Sequence, residues 1–140
     1  MQVAIIQTTL HWEQKDANLK MFDDWIEQIN QAVDLILLPE MFTTGFTMQP
    51  QLFAETLDGT TARWMQKHAM NKQAAVAGSF ITTHDEKYYN TMLIALPNGK
   101  LEHYHKRHLF SYGNEQLHYS VGKEKVLIHY QDWQLNPVIC

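Results

Sequence analysis

One cysteine in 140 residues, Cys140, rules out an intrachain disulfide and fits a reducing compartment. Basic charge is also scarce: 11 Lys and Arg stand against 15 Asp and Glu, a net charge of -4. No concentrated basic stripe is present, which excludes a reader of the nucleic-acid backbone. The one basic cluster, His103 to His108, is short and lies beside aromatics. No apolar run approaches the roughly 20 residues a membrane-crossing helix needs. Met1 leads directly into Val3-Ala4-Ile5-Ile6, with no charged leader and cleavage site before it. The expectation is a cytoplasmic protein with neither nucleic acid nor membrane as partner.

What remains is the composition of a packed globular domain, 45% hydrophobic and 19% charged, long enough for one core. Gln2 to Thr8 reads as a buried strand. Leu19, Phe22, Ile26, Ile29 and Val33 recur at three- and four-residue steps among charged residues, predicting an amphipathic helix capped near Asp16. Leu35 to Leu38 is a continuous apolar run stopped by Pro39 and suits a strand covered on both faces. A strand, a helix and a strand in this order predict a βαβ unit. An irregular stretch from Met41 to Gly59 leads to a second helix from Thr60 or Thr61 to about Asn71. Strands are then expected over Ala74 to Thr82, Tyr88 to Leu96, Leu101 to Lys106, Val126 to Tyr130 and Leu135 to Ile139. Turns at His84-Asp85-Glu86 and Pro97-Asn98-Gly99-Lys100 separate the first three. The whole reads as one α/β domain, and ending inside an apolar run predicts a truncated one.

Three residues at expected strand ends carry chemistry. Glu40 follows Leu38-Pro39, and ligands gather beyond the carboxyl ends of strands in open α/β sheets; a partly desolvated carboxylate there suits a general base. Lys106 ends the strand of Leu101 to His105, and a lysine in that position donates to an oxyanion without a metal. Cys140 closes Asn136-Pro137-Val138-Ile139, and a thiol with a nearby base serves as a nucleophile. Together they are what metal-free cysteine amidase chemistry requires.

These segments resemble the nitrilase superfamily of carbon–nitrogen hydrolases. Leu38-Pro39-Glu40-Met41-Phe42 is similar to its first motif, Tyr104-His105-Lys106-Arg107-His108-Leu109-Phe110 to its second, and Asn136-Pro137-Val138-Ile139-Cys140 to the approach to its nucleophile. The resemblance covers the chain from Met1 and implies half of a four-layer α-β-β-α sandwich. It implies catalysis by Glu40, Lys106 and Cys140, with a second glutamate beside the lysine. Glu115 matches that glutamate by its distance from Gly122, and Glu124 is the other candidate. Met41 to Phe46 and Arg107 to Phe110 are most similar to the bacterial ω-amidase branch, which hydrolyses 2-oxoglutaramate or 2-oxosuccinamate. The resemblance further implies a small-molecule amide as partner, no cofactor, and a homodimer for the full-length form. Arg107, His108 and Tyr112 are candidates by position to hold the remote carboxylate, and Phe42, Phe46 and Phe110 to wall the pocket. Family members continue past the cysteine, so the 140-residue chain alone is expected to be inactive and to need its missing half. In the full-length enzyme, Cys140→Ala, Lys106→Ala and Glu40→Gln are each expected to abolish turnover and leave the fold intact.

Two readings of other classes stand beside this one. His103, His105 and His108 form a H-x-H-x-x-H cluster whose first two members share a strand face, although Lys106 and Arg107 within it would repel a cation. A non-catalytic assembly half is the other.

Overall fold

Alternation along the strands divides their side chains between two faces, and in the computed structural model, which describes residues 1–140, each face has its own core. Five strands form the sheet in chain order: β1 (Val3–Ile5), β2 (Leu35–Leu37), β3 (Ala75–His84), β4 (Lys87–Ala95) and β5 (Leu101–His105). β1, β2 and β3 are parallel, whereas β4 is antiparallel to both β3 and β5. β2 and β5 therefore point the same way, which sends the segments after them toward the same end of the sheet.

Helices α1 (Lys15–Glu27) and α3 (Thr60–Lys72) cover one face. Their apolar stripes, Leu19, Phe22 and Ile26 on α1 and Ala62, Met65 and Ala69 on α3, join Val76, Phe80, Leu93 and Ala95 in the largest core cluster. Each fully buried large side chain there contributes about 1.5–3 kcal/mol. The opposite face gathers Leu35, Ala75, Ala77, Ile94 and Leu96 under Ile128 and Tyr130. Those last two come from a separate hairpin of β6 (Ile128–Tyr130) and β7 (Trp133–Leu135). One helical layer on one sheet is the α/β arrangement expected of half a sandwich.

The differences from expectation have local causes. β1 is shorter than Gln2 to Thr8 and is not buried: Val3 is 39% and Ile5 73% exposed, because β1 is the sheet edge and only its helix-facing side is covered. Helix α1 stops at Glu27, with Gln28 as its cap, short of Asn30, a weak helix former; Ile29 and Val33 still pack on the core from outside it. Asp16 lies in the first turn and Gln14 is the flanking residue, without a side-chain cap. The irregular stretch holds a short helix, α2 (Pro50–Phe53), with Pro50 in the first turn where its missing N–H costs nothing. The expected strand from Leu135 to Ile139 does not form. Only Leu135 pairs, and residues 136–140 are irregular, since Pro137 cannot donate to a ladder.

The β3–β4 turn is made by Asp85 and Glu86, both left-handed at φ 48° and 59°, the backbone a two-residue hairpin requires. Gly78 is demanded by packing. A Cβ there would meet Leu38 and Phe42 at 2.9 Å, so glycine lets the segment after β2 cross β3.

Candidate active site

Glu40 follows β2 by three residues, on a corner that the chain holds tightly. Met41 next to it is wholly buried with φ 48°, a conformation a long apolar side chain seldom adopts. Its N–H donates to Ser79 Oγ at 2.9 Å, and its carbonyl accepts from the N–H groups of Thr44 and Gly45. The buried Asn18 amide of α1 donates to Thr43 O at 2.8 Å and to His11 O at 2.8 Å, tying the corner to the helix layer. The glutamate is thus aimed by a braced turn rather than by a strand.

Lys106 comes directly after β5. Its N–H donates to Asn90 O on β4 at 2.9 Å, which continues the ladder by one residue. The side chain is 1% exposed and its Nζ lies between two carboxylates, donating to Glu40 Oε1 at 2.9 Å and to Glu115 Oε2 at 3.0 Å. The Phe46 ring stands 5.1 Å from the same nitrogen, within cation–π range. Burial lowers the Lys106 pKa, but the hydrogen bonds and charges of Glu40 and Glu115 outweigh it and raise the value above the ordinary 10.5. The lysine is fully charged at neutral pH.

Glu115 is completely buried, in a 3-10 turn (Glu115–Leu117). Besides Lys106 it accepts from Phe110 N–H at 2.6 Å. Glu124 is exposed, and the second glutamate at the lysine is Glu115. Tyr119, one turn later with its N–H on Glu115 O, donates its hydroxyl to Thr47 O at 2.7 Å; burial first, then the charge of Glu115, raises its pKa and keeps the hydroxyl protonated. The end of the chain returns to the same place. Cys140 shares a cavity of about 200 Å³ with Glu40, Ser79, Met92, Leu38 and Ile139.

The structure separates the other candidates. Phe46 stands at the lysine and packs edge-on against Phe110, whose ring is half exposed. Phe42 is a correction: it is wholly buried on the helix side, packed against Phe22, Trp64 and Phe80, and walls the core instead of the pocket. Arg107 is half-buried, whereas His108 is exposed and Tyr112 is 93% exposed.

Family comparison agrees with this geometry. The carbon–nitrogen hydrolase profile matches residues 2–140. The chain belongs to the carbon–nitrogen hydrolase family. It is 34% identical over 140 residues to the omega-amidase YafV of Escherichia coli K12, covering all of this chain and 54% of that protein. The 2-oxoglutaramate amidase of Bacillus subtilis is 29% identical over 141 residues, with 99% and 54% covered. The crystal structure of XC1258 from Xanthomonas campestris, a CN-hydrolase superfamily protein with an arsenic adduct in its active site, aligns with a TM-score of 0.94 at 34% identity. That alignment spans 99% of this chain and 52% of that one. The carbon–nitrogen hydrolase chain described here thus spans about half the length of the relatives it matches.

Strand alternation also places the histidine cluster. His103 and His105 are opposite Leu93 and Thr91, and Leu93 belongs to the helix-side core. Lys106 and Tyr104 alternate to the other face. The two rings do lie together, 5.1 Å apart, but no three His, Cys, Asp or Glu side chains are grouped to hold a metal ion. His105 Nδ1 instead pairs with Thr91 Oγ1 at 2.7 Å and its ring stacks on Tyr89. Burial, followed by the nearby charges of His103 and His84, brings its pKa from 6.5 to about 4. Between those values the unfolded chain binds a proton that the folded chain refuses, so stability falls as pH drops from 6.5 to 4 and levels off below. Urea melts across this window should show that slope, and His105→Gln should reduce it; an unchanged slope would exclude His105 as its source.

Gly122 packs against the backbone that carries His105 and Lys106. Its N–H donates to Lys106 O at 2.8 Å, and a Cβ at this position would overlap the His105 carbonyl. Gly122→Ala is expected to destabilise by about 1–3 kcal/mol, as overpacking does, and to push Lys106 out of line. A thermal melt equal to the parent's would contradict this.

Asn90 is the site residue that sequence motifs pass over. Its side chain is wholly buried and donates from Nδ2 to Glu40 Oε1 at 2.8 Å. The available signal was faint: an asparagine, a poor strand former, inside the apolar and aromatic run from Tyr88 to Leu96.

Proposed function

We propose that these residues form the N-terminal part of an amide hydrolase domain whose nucleophile is Cys140. The observation that carries this reading is the buried Lys106 ammonium held between Glu40 and Glu115, with Cys140 in the cavity beside Glu40. Glu40 takes the thiol proton, and the thiolate attacks the amide carbon. Lys106 stabilises the tetrahedral oxyanion. The carbon–nitrogen bond then breaks, ammonia leaves with the proton returned from Glu40, and a thioester to Cys140 remains. Glu40 next deprotonates a water, which attacks the thioester carbon; the acid departs and the cysteine recovers its proton. Glu115 keeps Lys106 charged and in place.

The proposed substrates are ω-monoamides of 2-oxo dicarboxylic acids, 2-oxoglutaramate foremost, on the strength of the amidases this chain is similar to. Half-buried Arg107, beside the site, is the first candidate for the remote carboxylate, ahead of exposed His108 and Tyr112. A homodimer and a cytoplasmic setting complete the proposal and rest on the family resemblance. No helix is long and apolar enough to cross a membrane.

The test is a substrate panel on the protein carrying this chain together with whatever its reading frame adds after Cys140. 2-Oxoglutaramate and 2-oxosuccinamate should give higher kcat/KM than aliphatic nitriles and simple amides. A nitrile ranking first would move the protein to another branch. The 140-residue chain alone should be inactive, and turnover by mass-verified chain of that length would refute its dependence on further residues.

A further inference from the structure

We infer that Asn90 is a positioning residue that selects which oxygen of Glu40 acts as the base. The inference rests on Glu40 serving as the base in the proposed reaction. Asn90 is in β4, on the face shared with Met92 and Ile94, the face that carries the Cys140 cavity. Its Nδ2 donates to Glu40 Oε1 at 2.8 Å, and the same oxygen accepts from Lys106 Nζ at 2.9 Å. Two donors converge on Oε1 and none on Oε2. The first oxygen is held by both neighbours, while the second keeps its lone pairs for a proton from Cys140.

The amide orientation is forced by charge, because the reverse would set Asn90 Oδ1 against the carboxylate. Asn90 also fixes the second partner. Its backbone carbonyl accepts from Lys106 N–H at 2.9 Å, so one residue aligns the base through its side chain and the lysine through its main chain. Stability alone does not explain an asparagine here. It is wholly buried, and its Oδ1 has no hydrogen-bond partner, a cost that an apolar residue in the middle of a sheet would not incur. The charged groups around this amide are Glu40 and Lys106, with Glu115 behind the lysine, and Cys140 lies in the cavity beside Glu40.

Asn90→Ala in the complete protein should lower kcat by about 10–100-fold, part of what general base catalysis supplies, with KM within about threefold. Its pH–rate profile should change as well, because Glu40 Oε1 loses one of its two donors. Asn90→Asp, nearly the same shape, should be worse at neutral pH because it sets a carboxylate against Glu40. A purely structural asparagine would lower the melting temperature without moving the profile. Catalysis is not needed for the second readout. In protein labelled with 15N-asparagine, the Asn90 side-chain amide, assigned by its loss in Asn90→Ala, should be shifted downfield, protected from exchange and returned upfield by Glu40→Gln. An amide indifferent to Glu40→Gln, or Asn90→Ala with kcat within twofold of the parent and an unmoved profile, overturns the inference. A complete protein inactive on every amide would instead sink the amidase reading and leave the amide resonance to judge Asn90.

Discussion

Glu40→Gln and Cys140→Ala should each reduce kcat/KM on the preferred amide by on the order of 10³–10⁶-fold, the loss seen when a base or nucleophile acting as part of one unit is removed. The two variants should fail differently. Without the thiol no acyl-enzyme can form, so Cys140→Ala should give neither a burst of ammonia nor a trapped thioester adduct. Glu40→Gln retains the sulfur but lacks its base, and a slow burst should persist. Neither change disturbs the core: Glu40 is about one-third exposed and Cys140 is exposed, so melting temperatures should stay near the parent's. Rapid-quench assays with intact mass measurement distinguish the two cases, and a variant keeping a tenth of the activity would remove that residue from the mechanism.

Lys106 variants belong to another regime, because a loss of stability is expected beside the loss of turnover. Lys106→Met leaves Glu115 wholly buried and facing no cation. Breaking a buried ion pair by removing one partner costs about 3–5 kcal/mol. Lys106→Met with Glu115→Gln should recover most of that loss while remaining inactive, because the charge is gone from both sides. Urea unfolding of the two single variants and the double variant measures the coupling; strict additivity would refute it. The raised lysine pKa gives the same pair a signature in base. Its stabilising contribution is complete below the ordinary value of 10.5 and is lost as pH climbs through the higher folded value. Inactivity of Lys106→Met is therefore informative only beside its melt.

The periodic parts of the fold were legible because burial imposes the period. Leu19, Phe22 and Ile26, like Ala62, Met65 and Ala69, lie at helical spacing because one side of each helix meets the sheet. The polar tripeptide His84-Asp85-Glu86 similarly announces a two-residue hairpin. Legibility ended where tertiary position decides. Nothing in Val3-Ala4-Ile5 reveals that β1 is an edge, since an apolar run reads alike in the middle of a sheet or at its margin. The last segment reads as a strand from its apolar residues, yet Val138 is exposed, and Ile139 is buried by docking near Glu40 without pairing. At the site, charge chemistry and resemblance pointed to Glu40, Lys106, Glu115 and Cys140, all of which the fold brings to one end of the sheet. Asn90 escaped because its partner lies 50 residues away. Phe42 was misplaced because an aromatic two residues after Glu40 sits beside the pocket in sequence and behind the sheet in space.

Strand order equal to chain order also sets a timetable. During synthesis Glu40 must wait for Lys106, 66 residues later, which at the usual elongation rate is roughly 3–13 s. β2 also waits for β3, from Leu35 to its partner Ala75, and the short β1–β2 pair, parallel and three residues on a side, has little to hold it meanwhile. The β3–β4 hairpin, paired continuously from His84↔Lys87 to Val76↔Ala95, needs no distant segment and can form within microseconds of leaving the ribosome. It is the natural template onto which the earlier strands dock backwards along the chain. Pulse-labelled hydrogen exchange during refolding should find amides of β3 and β4 protected before those of β1. The oldest part of the nascent chain would then be the last to settle.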